Sequence, residues 1–370
     1  MMSLPHLGWV TGNTNTPVYV LSAGDSNINA RIQDRLISLS LTDNRGFEAD
    51  QLDIELDDSD GLLSLPPRGA EFSLHLGWQG AALIHKGKFI VDEIEYSGVP
   101  DKVTVRARSA DFRATLNISR ELSYHQKTLS DIVRTIASRN NLKPEVDSRL
   151  ADIRLNHIDQ TNESDGSFLT RLAKQEGAIA TIKNGYLLFI RSGQNKTVSG
   201  RPLPVVMITR QSGDGYRFSL ADRSAYTGVS ASWLNTREPK KKDNVTVKRK
   251  RRKTSQANPQ KKEEKQGDYL AGSEGNVLVL KHTYANRSNA ERAAKAEWQK
   301  IQRGVASFSI QLAKGQPELF PEMKIKVSGF KPEIDKAEWT LVTVTHTLND
   351  SGLTSALELE VKISDADMSA

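Results

Sequence analysis

Cysteine is missing altogether from these 370 residues. Disulfide scaffolds, thiolate-ligated zinc and thiol nucleophiles are therefore excluded, and the composition suits a reducing compartment. A bilayer span needs about 20 consecutive apolar residues, and no such run occurs. The opening Met1-Met2-Ser3-Leu4-Pro5-His6 has no basic-then-apolar leader, so no secretory signal is expected. Phosphate-cradling G-x-x-x-x-G-K-[ST], the G-x-S-x-G nucleophile turn and G-x-G-x-x-G are all absent. The seven histidines (His6, His75, His85, His125, His157, His282, His346) form no H-E-x-x-H or other metal-ligand pair. His75 and His346 fall in strand patterns and are expected on sheet surfaces.

Basic character outside one segment is also lacking. The formal net charge is +6, yet Arg237–Gln266 carries thirteen Lys/Arg against four Asp/Glu. That surplus of nine exceeds the whole chain's by three, so the remainder is net negative. The segment 237–267 has almost no apolar side chains beyond Val245 and Val247 and is expected to be a disordered insertion. Its run Lys248-Arg249-Lys250-Arg251-Arg252-Lys253 lacks interleaved aromatics for base stacking, which favours a solvated insertion, with electrostatic docking on an acidic partner next, over nucleic-acid binding.

What the chain does have is alternation. Ile37, Leu39 and Leu41; Leu52, Ile54 and Leu56; Phe72, Leu74, Leu76 and Trp78; Phe89 and Val91; and Val103, Val105 and Ala107 recur with period two. That pattern predicts strands with one buried and one wet face. Asp43-Asn44-Arg45-Gly46 marks a turn. From about residue 125 the period changes. Thr128 caps a helix carrying Leu129, Ile132, Val133, Ile136 and Ala137, and Pro144 blocks its continuation. Ser164 or Asp165 starts a second, with Phe168, Leu169, Leu172 and Ala173 on its apolar face and Gly177 at its end. Asn184-Gly185 joins a hairpin. Ser288 and Glu291 fit a capping box for a third helix over about 288–303. Strands are expected again at Ser307–Leu312, Met323–Val327, Trp339–Thr347 and Leu357–Ile363.

A repeat emerges at the level of pattern. Phe72–Trp78, Phe89–Tyr96 and Val103–Ala107 parallel Met323–Phe330, Trp339–His346 and Leu357–Val361, each with Ser-Gly before the last strand (Ser97-Gly98, Ser351-Gly352). Two related β-regions therefore flank a small α/β region.

No catalytic, cofactor-binding or metal site is assigned, and no cofactor is expected. Asp57, Asp58 and Asp60 lack the spacing and closing Glu of a calcium loop. Glu163 and Asp165 sit at a helix start, where capping and dipole complementarity account for them better than a carboxylate-pair mechanism.

Gln160-Thr161-Asn162-Glu163-Ser164-Asp165, then Phe168-Leu169, Arg171-Leu172-Ala173 and Gly177, resembles the Q-x-N-E-S-D-x-x-F-L-x-R-L-A pattern of the phage late control protein D family, also found in the N-terminal part of VgrG spike proteins of type VI secretion. Thr128–Ile132, Gly329-Phe330, Trp339 and His346 add to the likeness, which spans essentially the whole chain. The resemblance implies an α+β, β-rich fold. Two tail-tube-like antiparallel β-barrel domains (1–118 and 201–370) flank a small α/β domain (119–200).

It further implies a non-enzymatic tail hub in the baseplate of a contractile-tailed phage or phage-derived particle, assembled in the host cytoplasm. A homotrimer with a duplicated barrel presents six-fold pseudo-symmetry, adapting a hexameric tail tube protein to a trimeric spike protein. Other baseplate proteins would surround it, and DNA or tape-measure protein would pass through its channel. The chain stops soon after its second β-region, so its spike is expected to be a separate protein. The alternatives are a tail-associated cell-wall hydrolase and a DNA-binding regulator acting through the basic insertion.

Overall fold

The computed structural model describes residues 16–24, 26–110, 114–191, 193, 201–220, 226–234, 266–272, 275–303 and 306–361. The basic segment lies outside them except for its last two residues.

The N-terminal β-unit (unit one) contains β1 (Pro17–Ala23), the two-residue β2 (Ser26–Asn27), β3 (Leu36–Asp43), β4 (Gln51–Asp57), β5 (Glu71–Trp78), β6 (Ile84–Ser97) and β7 (Lys102–Ser109), with a single-turn α1 (Asn29–Ile32). Strands β3 to β7 bury alternate residues: Leu39 and Leu41, Leu52 and Ile54, Leu74 and Leu76, Phe89 and Val91, Val103 and Val105 form one core. Ile37 breaks the expected alternation and is exposed, because β3 bulges between Leu36 and Ser38. The extra residue turns Ile37 outward and leaves Leu36 to pack on the core.

The middle region holds β8 (Ser119–Thr128), α2 (Leu129–Arg139), β9 (Lys143–Val146), α3 (Ser148–Ala151), β10 (Arg154–Ser164), α4 (Asp165–Glu176), β11 (Ala178–Lys183) and β12 (Tyr186–Arg191). Thr128 closes a full capping box with Asp131, and Gly177 ends α4 in the left-handed region at φ +65°. Asn184 and Gly185 both have positive φ, as a tight hairpin turn requires. The faces expected of α2 and α4 are the buried ones. Strands β8 and β10 pair into a two-stranded ribbon that the sequence pattern did not announce. Most residues on both its faces are exposed, so no period-two apolar signal exists to read.

The C-terminal β-unit (unit two) contains β13 (Val206–Thr209), β14 (Gly213–Leu220), β18 (Ala306–Leu312), β19 (Lys324–Ser328), the single-turn α6 (Pro332–Asp335), β20 (Trp339–Asn349) and β21 (Gly352–Val361). Between β14 and β18 lies an excursion with its own core: β15 (Gly228–Leu234), β16 (Gln266–Gly272) and β17 (Val277–Val279) carry α5 (Arg287–Arg303). The cap of α5 differs from the expected box at Ser288. Asn286 Oδ1 accepts the Asn289 N–H at 2.8 Å, while Glu291 pairs with Lys295.

Unit one runs β3-β4-β7-β6-β5-β1, and unit two runs β14-β18-β21-β20-β19-β13. The two six-strand orders match position for position, although β13 joins β19 in parallel where β1 joins β5 antiparallel. The bulges match as well. Strand β6 bulges against β7 between Val91 and Glu93, and β20 bulges against β21 between Leu341 and Thr343. On the other edge, Val91 exchanges hydrogen bonds with Gly69 N–H (2.8 Å) and Ala70 O (2.9 Å), and Leu341 does so with Glu322 N–H (2.8 Å) and Met323 O (2.9 Å). Gly69 and Glu322 share a left-handed backbone, φ +83° and +74°. This superposition places Phe89 on Trp339, both fully buried, and extends the repeat from three strands to six.

Candidate functional site at the junction of the two units

The units meet edge to edge. Strand β20 is longer than its partner β19, which pairs only with its first residues. The rest of that edge receives β3 of unit one: Val344, Thr345, His346, Thr347, Leu348 and Asn349 oppose Asp43, Thr42, Leu41, Ser40, Leu39 and Ser38. One continuous sheet of thirteen strands results. On its inner face the seam buries Leu39, Leu41, Val344 and Leu348 together with His346 and, at one end, Asp43. On the opposite face the Thr42 and Thr345 hydroxyls meet at 3.2 Å.

His346 lies inside this seam and not on a sheet surface as its strand pattern implied. It is fully buried, and its Nδ1 bonds the Ser355 hydroxyl at 2.8 Å. Burial, followed by the nearby Lys86 ammonium, depresses it to about 3, so it is neutral at physiological pH. The β18–β19 loop lies over unit one. Gly315 O accepts the Trp78 indole N–H at 3.0 Å, and the Pro317 and Leu319 carbonyls accept from Lys86 Nζ at 3.1 and 3.2 Å.

Charge locks the three regions together at one end of the seam. Lys183, at the tip of the middle-region hairpin, donates to Asp43 at 2.6 Å and to both Asp50 oxygens at 2.7 and 2.6 Å. Burial and then the neighbouring Asp43 raise the Asp50 carboxyl to about 6. Burial alone would lower Lys183, but the two carboxylates outweigh it and hold the ammonium above its ordinary range. Beside it, Arg45 from the β3–β4 turn reaches Glu322 at 2.6 Å and Glu360 at 2.5 Å in unit two. These residues escaped sequence reasoning. Two separate turn signals, around Asn44 and Asn184-Gly185, were the only marks of them, and only the fold brings those turns together.

The signature residues form a second buried network. Asp165 is fully buried and accepts from Arg139 (2.8 Å), Asn140 (2.9 Å) and Gln160 (2.9 Å), with Arg120 at 3.5 Å. Glu163 is held by Arg171 at 2.7 Å, and Ser164 accepts the Ser167 N–H at 3.2 Å. The motif thus ties the end of β10 to the start of α4 and to α2. Arg292 of α5 reaches Glu176 at 2.8 Å and docks the excursion on α4.

The acidic run is likewise engaged. Arg35 clasps Asp60 through both nitrogens (2.7 and 2.5 Å), and Asp58 accepts the Leu63 N–H at 2.8 Å. Among the described residues no group of three or more His, Asp or Glu side chains gathers as a metal site. A cleft of about 500 Å³ at the start of α4 is lined by Phe47, Asn117, Ser164, Ser167, Arg171 and Lys174, without a carboxylate pair. No helix among the described residues is long and apolar enough to cross a membrane.

With this geometry established, the chain can be set beside known proteins. The profile of the phage tail baseplate hub (GPD) family matches residues 30–352. Two probable baseplate hub proteins are each 51% identical: that of Escherichia phage 186 over 97% of this chain and 96% of the relative, and that of Escherichia phage P2 over 98% of both. Among solved structures, the 43 kDa tail protein of prophage MuSo2 from Shewanella oneidensis aligns over 93% of this chain and 98% of its own, at a TM-score of 0.66 and 15% identity. A tail protein of Neisseria meningitidis aligns over 93% and 96%, at 0.63 and 11%. An Escherichia coli component of the type VI secretion system aligns over 90% and 74%, at 0.52 and 12%. At these identities the structural matches speak to fold alone.

Proposed function

The chain belongs to the phage tail baseplate hub family, and from that premise we propose that three copies close into a ring whose six β-units present a six-fold pseudo-symmetric face to the tail tube. It is a structural baseplate hub of a contractile-tailed phage or phage-derived particle, and other tail components are its partners. The observation that carries the trimeric reading is the duplicated six-strand unit. The tube is expected to be a stack of hexameric rings and the spike a trimer. A trimer of a two-unit chain satisfies both symmetries with one gene product, because its closed ring has three identical junctions and three pseudo-equivalent ones.

In this reading the chain works mechanically. It holds the tube on one face and a separate spike protein on the other, and leaves a channel through which DNA or tape-measure protein passes. The net negative charge outside the basic segment suits a lumen that does not grip phosphate. Assembly takes place in the host cytoplasm. Catalysis is not part of this role: Glu163 and Asp165, the carboxylates nearest to a hydrolase pair, are both spent on ion pairs within the fold.

Solution mass tests the reading. The purified chain, alone or with its spike protein, is expected at three times its 41.0 kDa chain mass, and electron microscopy should show a ring six-fold on one face and three-fold on the other. A strict monomer in the presence of the spike protein would sink the proposal.

A further inference from the structure

We infer that His125 and His157, paired across the β8–β10 ribbon, form a two-imidazole chelate for a divalent first-row transition cation such as Zn²⁺ or Ni²⁺. The site lies within the middle region and does not depend on the ring reading above.

The ribbon brings together two rings that no sequence spacing connects. His125 and His157 are 32 residues apart in the chain and directly opposed in register. Both stand on the solvent side of the ribbon, because their neighbours Tyr124 and Ile158 turn the other way and pack on the core. The ring centroids lie 4.6 Å apart with planes inclined by 26°, and the two Nδ1 atoms approach to 3.1 Å. Two imidazole nitrogens that share one cation at about 2.1 Å each, at about a right angle, lie about 3 Å apart. The pair therefore already holds the spacing that a chelate needs.

A third residue sets which nitrogen carries the proton. Asp159 Oδ2 faces His157 Nε2 at 2.9 Å, and Asp159 Oδ1 accepts the Ser123 hydroxyl at 2.6 Å. That hydroxyl is the main reason the Asp159 carboxyl is held below its ordinary range, so it is ionised and can only accept. The neutral His157 ring therefore keeps its proton on Nε2 and presents the Nδ1 lone pair to His125. Histidines that bind metals are commonly oriented by such a carboxylate on the far nitrogen. In the free chain the His125 Nδ1–H donates to this lone pair. When a cation enters, that proton leaves Nδ1 and a solvent proton is taken up at Nε2. The cation takes the vacated place, and neither imidazole changes its charge.

The surroundings favour an open site. His157 has 52% of its side chain exposed, so water can complete the coordination. Imidazole ligands suit Zn²⁺, Cu²⁺ and Ni²⁺, whereas Mg²⁺ and Ca²⁺ take oxygen. The consequence is mechanical. The ribbon is wet on both faces, and two strands alone are marginally stable. A cation held by both strands, and not by the unfolded chain, clips them together and stabilises the fold by linkage.

Calorimetric titration of the metal-stripped full chain, carrying no affinity tag, tests the site. Ni²⁺ and Zn²⁺ are expected to bind and Mg²⁺ is not. His125→Gln and His157→Gln should each weaken Ni²⁺ binding by more than about tenfold, and Asp159→Asn by about tenfold. His85→Gln, in the other histidine pair of the β-sheet, should leave the affinity unchanged. The substituted rings are exposed, so the variants should melt with the wild type in EDTA and lose only the rise in melting temperature that Ni²⁺ confers. A readout that needs no variant is the imidazole NMR spectrum, in which Zn²⁺ should move the resonances of His125 and His157 alone. Unchanged Ni²⁺ affinity in both histidine variants, or Zn²⁺ shifts confined to other histidines, would overturn the site. Unchanged affinity in Asp159→Asn would overturn the orienting role of the carboxylate.

Discussion

The two β-units use one strand order and one pair of bulges, yet they solve three local problems differently. Where the backbone turns left-handed before the fifth strand, unit one uses Gly69, which adopts that conformation freely. Unit two places Glu322 there and accepts roughly 1 kcal/mol of backbone cost, because that carboxylate holds Arg45 at 2.6 Å across the internal junction. The aromatic filling the core is Phe89 in unit one and Trp339 in unit two, whose indole N–H finds the Ile334 carbonyl at 2.9 Å. The β3–β4 connection is a short turn, whereas β14–β18 opens into a second small core with its own helix. The differences fall where unit two must do something extra: span the junction, anchor a longer element or carry an added lobe. Duplication supplied the frame, and the departures from it mark the contacts.

The largest effect should come from the paired core aromatics. Trp339→Ala removes a fully buried indole together with its bond to the Ile334 carbonyl, and should cost about 4 kcal/mol. Phe89→Ala should cost somewhat less, about 3 kcal/mol, since no hydrogen bond goes with it. Denaturant titration of both variants measures the difference; equal losses would mean the indole bond adds nothing to the pairing of the two positions. Lys183→Met comes next. It leaves Asp43 and Asp50 facing each other in a buried corner without the cation that bridges them, Lys86 remaining only at 3.9 Å from Asp43, and should cost about 3 kcal/mol. Asp50→Asn in that background should recover part of it, because burial and Asp43 already raise the Asp50 carboxyl to about 6. A loss below about 0.5 kcal/mol, the scale of an exposed pair, would show that the corner is not the clamp between regions that its geometry describes.

Much of this frame was legible in the sequence because each β-unit has one wet face and one dry one. Leu52, Ile54, Phe72, Leu74 and their like announced themselves by period two, and α2 and α4 by their caps and apolar stripes. The three-strand repeat was visible for the same reason. What stayed hidden shares a physical cause. The β8–β10 ribbon is wet on both faces and leaves no alternation to read. Ile37 follows the pattern of a core residue but a bulge turns it out. His346 reads as a surface residue because polarity predicts exposure, but its ring lies in the junction with Ser355 as partner. The clamp of Lys183, Asp43 and Asp50 joins turns distant in the chain, and ordinary turn chemistry conceals it. The signature residues around Glu163 and Asp165 were recognisable as a motif, while the reason for them, a buried carboxylate receiving Gln160, Arg139 and Asn140, needed the packed structure.

His346 separates the two units by pH. In unit one the matching residue is Tyr96, which does not gain a proton in acid. In unit two the folded state holds His346 near 3, against 6.5 when exposed. The neutral form is the one the fold accepts. Its stabilising contribution is therefore complete above pH 6.5 and is lost progressively as pH falls from there toward 3. About 2 kcal/mol should disappear between pH 7 and pH 5 from this residue alone. His346→Gln keeps a hydrogen-bonding partner for Ser355 and cannot be protonated, so its unfolding free energy should vary less with pH over that interval. Parallel curves for the two proteins would mean that the ring is solvated in the folded state and the junction is wetter than its geometry implies.

The smallest expected effect lies on the outer face of the junction between the two units. Thr42 and Thr345 face each other across the internal seam at 3.2 Å, on the side away from the core. Replacing either by Val leaves one hydroxyl facing a methyl group and should cost about 1 kcal/mol. Replacing both removes the unmatched group, so the double variant should be less destabilised than the sum of the singles. The coupling should be about 0.5 kcal/mol. A double-mutant cycle on unfolding free energy measures it. Strictly additive single effects would mean that each hydroxyl is satisfied by solvent and that the outer face of the junction is wet, while its inner face stays buried.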